Sequence, residues 1–359
     1  MTRLFWSIVI ASLAACGGSS GGSGGVTPLP PPPPPPPPIT EVSADLQDYV
    51  TSTLSYAQSF SEGYSVPTAA DLIVFDALIA TLLAGDYESV NGSADDINLE
   101  LVRFTDTAAG DNELYCLREI TLLGRGFFCV DPDSSALHHI SVPHPLFDQN
   151  TNTQSIRVMR ETGARFLSIS TTHRCANAAT SACSGTTSVC GASGPYKVSD
   201  AAHTVDSFFY RFGVLVHDQS AGTHTIQLHG CGSTACPSNM DDADIVARLS
   251  AGTTANLPAT DPINVLNAEL NEELAALRLG SSLSCNEPSM DKQLCGSTNT
   301  LGRYINGQPD ACQNPGTSFT NSRFLHVEQN ANLRVDDGGG DELTPSTIST
   351  AINDTFDPP

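Results

Sequence analysis

Lysine is nearly absent from this chain: among 359 residues only Lys197 and Lys292 occur, so arginine carries most of the positive charge. Sixteen basic side chains stand against 39 acidic ones, for a net charge of −23. Such a surface repels nucleic acid and anionic lipid headgroups, which argues against any DNA- or RNA-binding role. No Cys-x-x-Cys occurs, which excludes a zinc ribbon or a thioredoxin-type redox pair. Outside the Gly/Ser tract at 17–25 there is no Gly-x-Ser-x-Gly elbow, and Gly191-Ala192-Ser193-Gly194 misses the spacing. No phosphate-cradling Gly-x-x-x-x-Gly-Lys and no internal repeat is present. The apolar run at 4–15 is too short for a membrane span, which needs ~20 residues.

What is present begins with export signals. Arg3 precedes that apolar run, which closes on Leu13-Ala14-Ala15-Cys16. The segment resembles the lipobox of bacterial lipoproteins, which implies a leader over 1–15 and a lipid on Cys16 that anchors the chain to a membrane. Gly17 stands where an aspartate often retains such proteins on the inner membrane, so the resemblance implies the outer membrane of a Gram-negative cell envelope. An ordinary secretory signal with a chance cysteine is the alternative. A linker over 16–40 follows, glycine and serine from Gly17 to Gly25 and then nine prolines from Pro30 to Pro38. The first part is a flexible tether, and the second is a polyproline II rod of roughly 28 Å.

Ten cysteines remain besides Cys16: Cys116, Cys129, Cys175, Cys183, Cys190, Cys231, Cys236, Cys285, Cys295 and Cys312. An even number in an oxidising compartment predicts five disulfides. Cys116–Cys129 and Cys231–Cys236 are the local pairs expected first.

The body reads as N-terminal helices and a hairpin over 41–130, packed on an α/β catalytic core over 131–359. Helices are expected at 41–61 and at 68–84, the latter with Thr68 and Asp71 as a capping pair. Strands at 97–105 and 113–120 form the hairpin, and a turn at Gly124-Arg125-Gly126 leads to a segment at 127–130. A strand at 137–142, a helix at 152–162 stopped by Gly163, and a strand at 164–170 make a βαβ unit. Further helices are expected at 202–216, capped by Asp200 or Ser199, at 241–249, at 263–279 behind Asp261-Pro262, and at 345–353. Strands at 223–229 and 323–328 complete the sheet.

Three strand exits carry the chemistry. Pro143-His144-Pro145-Leu146-Phe147-Asp148, Leu228-His229 and Phe324-Leu325-His326-Val327-Glu328 each place polar groups where a strand ends. In open α/β sheets the carboxyl ends of strands converge on a ligand-binding crevice. His144, Asp148 and His229 supply the ligand types of a catalytic zinc, and Glu328 a general base. Each has a plainer reading: Asp148 as an Asx-turn or helix cap, the histidines as hydrogen-bonded structural residues, Glu328 as a partner of Arg334. His326 shares a face with Glu328 by strand alternation and competes with Asp148 as a ligand. His138 and His139 lie inside a strand and must face opposite ways, while His217 and His224 flank a loop and are expected to be exposed. Arg174, Arg303 and Arg334 lie near the strand ends, where guanidinium groups could hold an anionic substrate end, and His203 is a further substrate contact. The acidic turn at 336–341 lacks the ligand spacing of a calcium loop.

Pro143-His144 with Asp148 shortly after, a strand-borne Leu228-His229, and Glu328 closing Phe-Leu-His-Val-Glu resemble the zinc carboxypeptidase-like superfamily. Phage-type poly-γ-glutamate hydrolases and N-formylglutamate amidohydrolases are the most similar branches. The resemblance covers roughly residues 130–335 and implies a mixed sheet flanked by helices. It implies zinc on His144, Asp148 and His229, Glu328 as base, and a peptide-like, γ-glutamyl or acyl-amino-acid substrate. The chain departs from those relatives in carrying aspartate where glutamate is usual, and Pro145-Leu146 after the histidine instead of Gly-Gly. The competing class is a non-catalytic, disulfide-stapled surface lipoprotein that binds or scaffolds.

Overall fold

Alternation along the strands decides the architecture. In a computed structural model that describes residues 37–236, 244–288, 292–313, 321–334 and 343–357, the chain is α/β with a mixed sheet flanked by helices. The leader at 1–15, Cys16, most of the linker and the acidic turn at 336–341 lie outside the described residues. No described helix is long and apolar enough to cross a membrane.

The strands are β1 (Thr40–Ala44), β2 (Leu99–Asp106), β3 (Asn112–Glu119), β4 (Phe127–Val130), β5 (Ala136–Val142), β6 (Ala164–Ile169), a two-residue pair β7 (Thr186–Thr187) and β8 (Gly194–Pro195), β9 (His224–Gly230), β10 (Ile245–Ser250), β11 (Ser281–Ser284) and β12 (Phe324–Gln329). Ten of them form one sheet in the order β1-β2-β3-β4-β6-β5-β9-β12-β10-β11. The central run β6-β5-β9-β12 is parallel, so their carboxyl ends share one edge. The hairpin β2–β3 and the antiparallel β4 extend that same sheet, so 40–130 contributes strands as well as helix.

Helices cover both faces: α1 (Leu46–Asp48), α2 (Ala69–Leu83), α3 (Tyr87–Asn91), α4 (Thr151–Thr162), α5 (Phe208–Gln219), α6 (Pro262–Leu277), α7 (Thr300–Ile305) and α8 (Leu343–Phe356). On one face Ile140, Val142, Ile226, Leu228, Leu325 and Val327 pack against α4, α6 and α8. On the other, Leu99, Leu101, Phe128, Val130 and Phe166 pack against α2 and α5. Each such fully buried aliphatic or aromatic side chain contributes about 1.5–3 kcal/mol. The connections leaving β5 and β6 thus go to opposite faces, the arrangement that opens a crevice at the carboxyl edge.

In the central strands the second face is polar where the first is apolar. His139, Ser141, Thr225, Gln227, His229, His326 and Glu328 alternate with the apolar residues above and are all buried. Buried polar groups need partners, and His139 with Thr225, and Ser141, Gln227 and His229 in a row, hydrogen-bond to one another beneath the crevice.

Several expectations need correction. Residues 41–61 are not one helix: Thr40–Ala44 pairs in parallel with β2, and α1 and a short π-turn at Tyr49–Thr53 follow. The segment expected to be helical at 241–249 has its described part in strand β10, between β12 and β11. Its Ile-Val-Ala run is short and buried on both faces, so it has no period to read. α5 begins at Phe208, capped by Ser207, not by Asp200 or Ser199. His217 is buried with Nε2 2.7 Å from Arg323, and His224 is half-buried against Phe356, so neither is an exposed loop residue. His138 and His139 do face opposite ways, toward Phe356 and Phe212.

All five disulfides form among the ten cysteines: Cys116–Cys129, Cys175–Cys190, Cys183–Cys312, Cys231–Cys236 and Cys285–Cys295.

Candidate metal centre

His144 and Asp148 are brought together by one tight turn after β5. The amide of Asp148 donates to the carbonyl of His144 at 2.7 Å, and Thr151 Oγ1 to the carbonyl of Asp148 at 2.8 Å. The carboxylate of Asp148 is therefore free of capping duty: α4 is capped by Asn150, which makes no side-chain cap bond. His229 reaches the same point from β9, and register places Glu328 of β12 directly beside it.

Asp148 Oδ2 lies 3.4 Å from His144 Nδ1 and 3.3 Å from His229 Nδ1. His144 Nδ1 and Asp148 Oδ2 are buried and make no hydrogen bond. Charge-assisted N–H···O contacts run at about 2.7–2.9 Å, so these separations are long for a proton. Ligands about 2.0–2.2 Å from one tetrahedral ion stand about 3.4 Å apart, so they suit an ion. Among the described residues, these three form one of three groups whose ligand atoms lie within 4.8 Å of one another.

Each histidine is held from behind. His144 Nε2 donates to Asp200 Oδ1 at 2.8 Å, and His229 Nε2 to Gln227 Oε1 at 2.8 Å. Outer partners of this kind orient metal-ligating histidines and raise their basicity. Asp200 also accepts from His203 Nδ1 at 2.8 Å and from Arg174 Nε and Nη2 at 3.0 and 2.6 Å. Those bonds occupy both oxygens of Asp200, so the group His144–Asp200–His203 is a hydrogen-bonded network, not an open ligand set. In the third group, His326 Nε2 stands 3.5 Å from Glu328 Oε1, and His229 is shared with the first.

The charges follow from burial and neighbours. Burial opposes ionisation of Asp148, yet the flanking His144 and His229 hold its carboxyl below the usual range. Asp200 is likewise held well below it: burial is outweighed by Arg174, His203 and His144. Burial and Arg174 work against a proton on His144, but Asp200 and Asp148 raise its value overall. Burial pulls His229 down to about 4 despite Asp148. Burial and the Asp148 charge push Glu328 up to about 8.

His144, His229, His326 and Glu328 line a cleft of about 390 Å3. His203 borders it, stacked on Tyr196 at 3.7 Å with Nε2 3.2 Å from Thr298 Oγ1. Segment 292–299 lines it as well, positioned by Cys285–Cys295.

The expected arginines separate. Arg174 borders the cleft, with its Nε and Nη2 on Asp200. Arg334 donates to the carbonyls of Gln149 and Asn330 and packs against Gly230, where any Cβ would stand 2.5 Å from its Cζ. Arg303 is buried and donates to Ser184 Oγ and the carbonyls of Ser297, Ala311 and Cys312, so it braces the cleft wall at Ser297 without lining the cleft itself. Sequence reasoning missed Asp200, read as a cap, together with Gln227 and Asn299. The strand alternation that links Gln227 to His229 was the available signal for Gln227.

No family model, curated protein or solved structure matches this chain.

Proposed function

We propose that the protein is a zinc-dependent hydrolase of amide bonds, with His144, Asp148 and His229 as metal ligands and Glu328 as the proton-transferring base. The observation that carries this reading is that Asp148 Oδ2 stands 3.4 Å from His144 Nδ1 and 3.3 Å from His229 Nδ1, with the far nitrogen of each imidazole already committed. Two nitrogens and a carboxylate oxygen are a donor set that zinc accepts, with a position left for a fourth ligand. Bound zinc would supply Lewis acidity to a carbonyl.

The chain's own residues do the rest. Glu328, with its carboxyl at about 8, exchanges a proton near neutral pH and lies beside His229 at the cleft. Asp200 fixes His144 and His203, and Arg174 keeps Asp200 ionised. The likeness of the Pro-His, Leu-His and terminal glutamate segments to zinc carboxypeptidase-like enzymes supports a peptide, γ-glutamyl or acyl-amino-acid substrate. In this reading Cys16 carries the lipid that holds the enzyme on the cell envelope, at the outer membrane.

The test is metal analysis of the purified chain beside His229→Ala, with hydrolysis assayed on a panel of acyl-amino acids and γ-glutamyl peptides. One zinc per chain, lost in the variant, and activity lost on chelation are expected. Full activity after chelation would transfer the chemistry to a serine or aspartate mechanism. No metal and no activity would leave a binding or scaffold module.

A further inference from the structure

We propose that Asn299 is a positioning residue: through Gln227 it decides which nitrogen of His229 carries the proton, and so keeps Nδ1 bare toward Asp148. The consequence for metal affinity rests on the zinc reading above; the tautomer itself does not.

One group in this network has no choice of role. A backbone N–H only donates, and that of Gly302 lies 3.0 Å from Asn299 Oδ1, capping α7. This bond fixes the Asn299 amide, so its Nδ2 is the group that donates to Gln227 Oε1. An amide NH2 only donates, so Gln227 must present its oxygen on that side. His229 Nε2, 2.8 Å from the same oxygen, must then carry a hydrogen. A neutral imidazole has one N–H, so Nδ1, 3.3 Å from Asp148 Oδ2, holds a lone pair.

The other side-chain partner of Gln227 among the described residues leaves its orientation open. Gln227 Nε2 meets Ser141 Oγ at 3.3 Å, but a hydroxyl donates or accepts with equal ease. Gln227 and Asn299 are 0% and 2% exposed, so bulk water cannot replace either partner. The relay therefore runs from a helix end, through two amides, to a candidate ligand.

Rescue tests it. Asn299→Ser retains a good helix cap but removes the donor that fixes Gln227. Gln227→Glu offers His229 an acceptor oxygen in either orientation, so it no longer needs that donor. Zinc alone is titrated against a chromogenic chelator, and the protonation of His229 Nε2 is read from 15N NMR shifts of the metal-free and zinc-loaded chain. Asn299→Ser is expected to weaken zinc about 10- to 100-fold, the usual effect of losing an outer partner. Gln227→Glu alone should keep binding, and the double variant should return to the level of Gln227→Glu. A structural defect at α7 would not be rescued from β9, and a thermal melt of each variant checks the fold. Wild-type affinity with Nε2 still protonated in Asn299→Ser would overturn the proposal, as would a double variant no tighter than Asn299→Ser. If the wild-type chain takes no zinc, the metal reading falls instead. The relay is then judged on Nε2 of the metal-free proteins, protonated in wild type and shifted toward the unprotonated state in Asn299→Ser.

Discussion

At the scale of single residues, one carboxylate organises half the site. Asp200 accepts from His144 and His203 on Oδ1 and from Arg174 on Oδ2, at 1% exposure. An asparagine there has only one oxygen, so it must turn its NH2 either toward the Arg174 cation or toward the two imidazoles. Asp200→Asn is therefore expected to weaken zinc by about 10- to 100-fold, measured by chelator competition; unchanged affinity would reduce Asp200 to a packing residue. Glu328→Gln tests a different step. It keeps the shape and leaves His144, Asp148 and His229 intact, so zinc content should be unchanged. Loss of the proton carrier should lower kcat about 100-fold or more, with KM moving little. A variant that loses zinc along with activity would instead make Glu328 a ligand, as its place beside His229 and His326 would allow.

At the scale of elements, legibility followed periodicity and punctuation. The helix at 68–84 was readable because Thr68 and Asp71 announce a capping box, and both reciprocal bonds form, at 3.1 and 3.0 Å. The Asp261-Pro262 start and the Gly163 stop were readable for the same reason. The strand exits were readable because β5, β9 and β12 follow a period of two, which put His144, His229 and Glu328 at one edge. Where local signals are ambiguous, tertiary pairing decides: Thr40–Ala44 became a strand only because β2 offers it an edge, and β10 because β12 and β11 enclose it. Asp200 was misread because an aspartate before an apolar stretch is usually a cap, whereas here Arg174 and two histidines claim it. The capping box gives an element-scale prediction. Thr68→Ala removes the bond to Asp71 N and should cost about 1 kcal/mol, read from urea unfolding. The loss should appear in full because α2 packs through Phe75, Leu78, Ile79 and Leu82 onto the sheet and α5.

At the scale of the whole molecule, cross-links and buried histidines set how the fold responds to its surroundings. Cys183–Cys312 spans a sequence separation of 129 and Cys231–Cys236 one of 5. Constraint of the unfolded chain alone makes the first worth about 5 kcal/mol and the second about 2, so removing Cys183–Cys312 by paired serine substitution should lower stability much more. Acid acts by a separate route. His139 lies fully buried between Ser168 Oγ at 2.8 Å and Thr225 Oγ1 at 3.3 Å, and burial brings its value from 6.5 to about 3. His217 and His224 are lowered to about 4, again first by burial. A group depressed in the folded state adds stability that is complete above its unfolded value and is lost as pH falls toward the folded one. Between pH 6.5 and 5 the unfolded chain takes up a proton at His139 that the folded chain refuses, which costs about 2 kcal/mol at about 1.4 kcal/mol per pH unit. Urea unfolding of wild type should therefore weaken steadily over that interval. His139→Gln keeps donor and acceptor atoms between the two hydroxyls without a titrating group, so its stability should fall less steeply by that amount. Parallel pH profiles for the two proteins would show that His139 is not a source of the acid sensitivity.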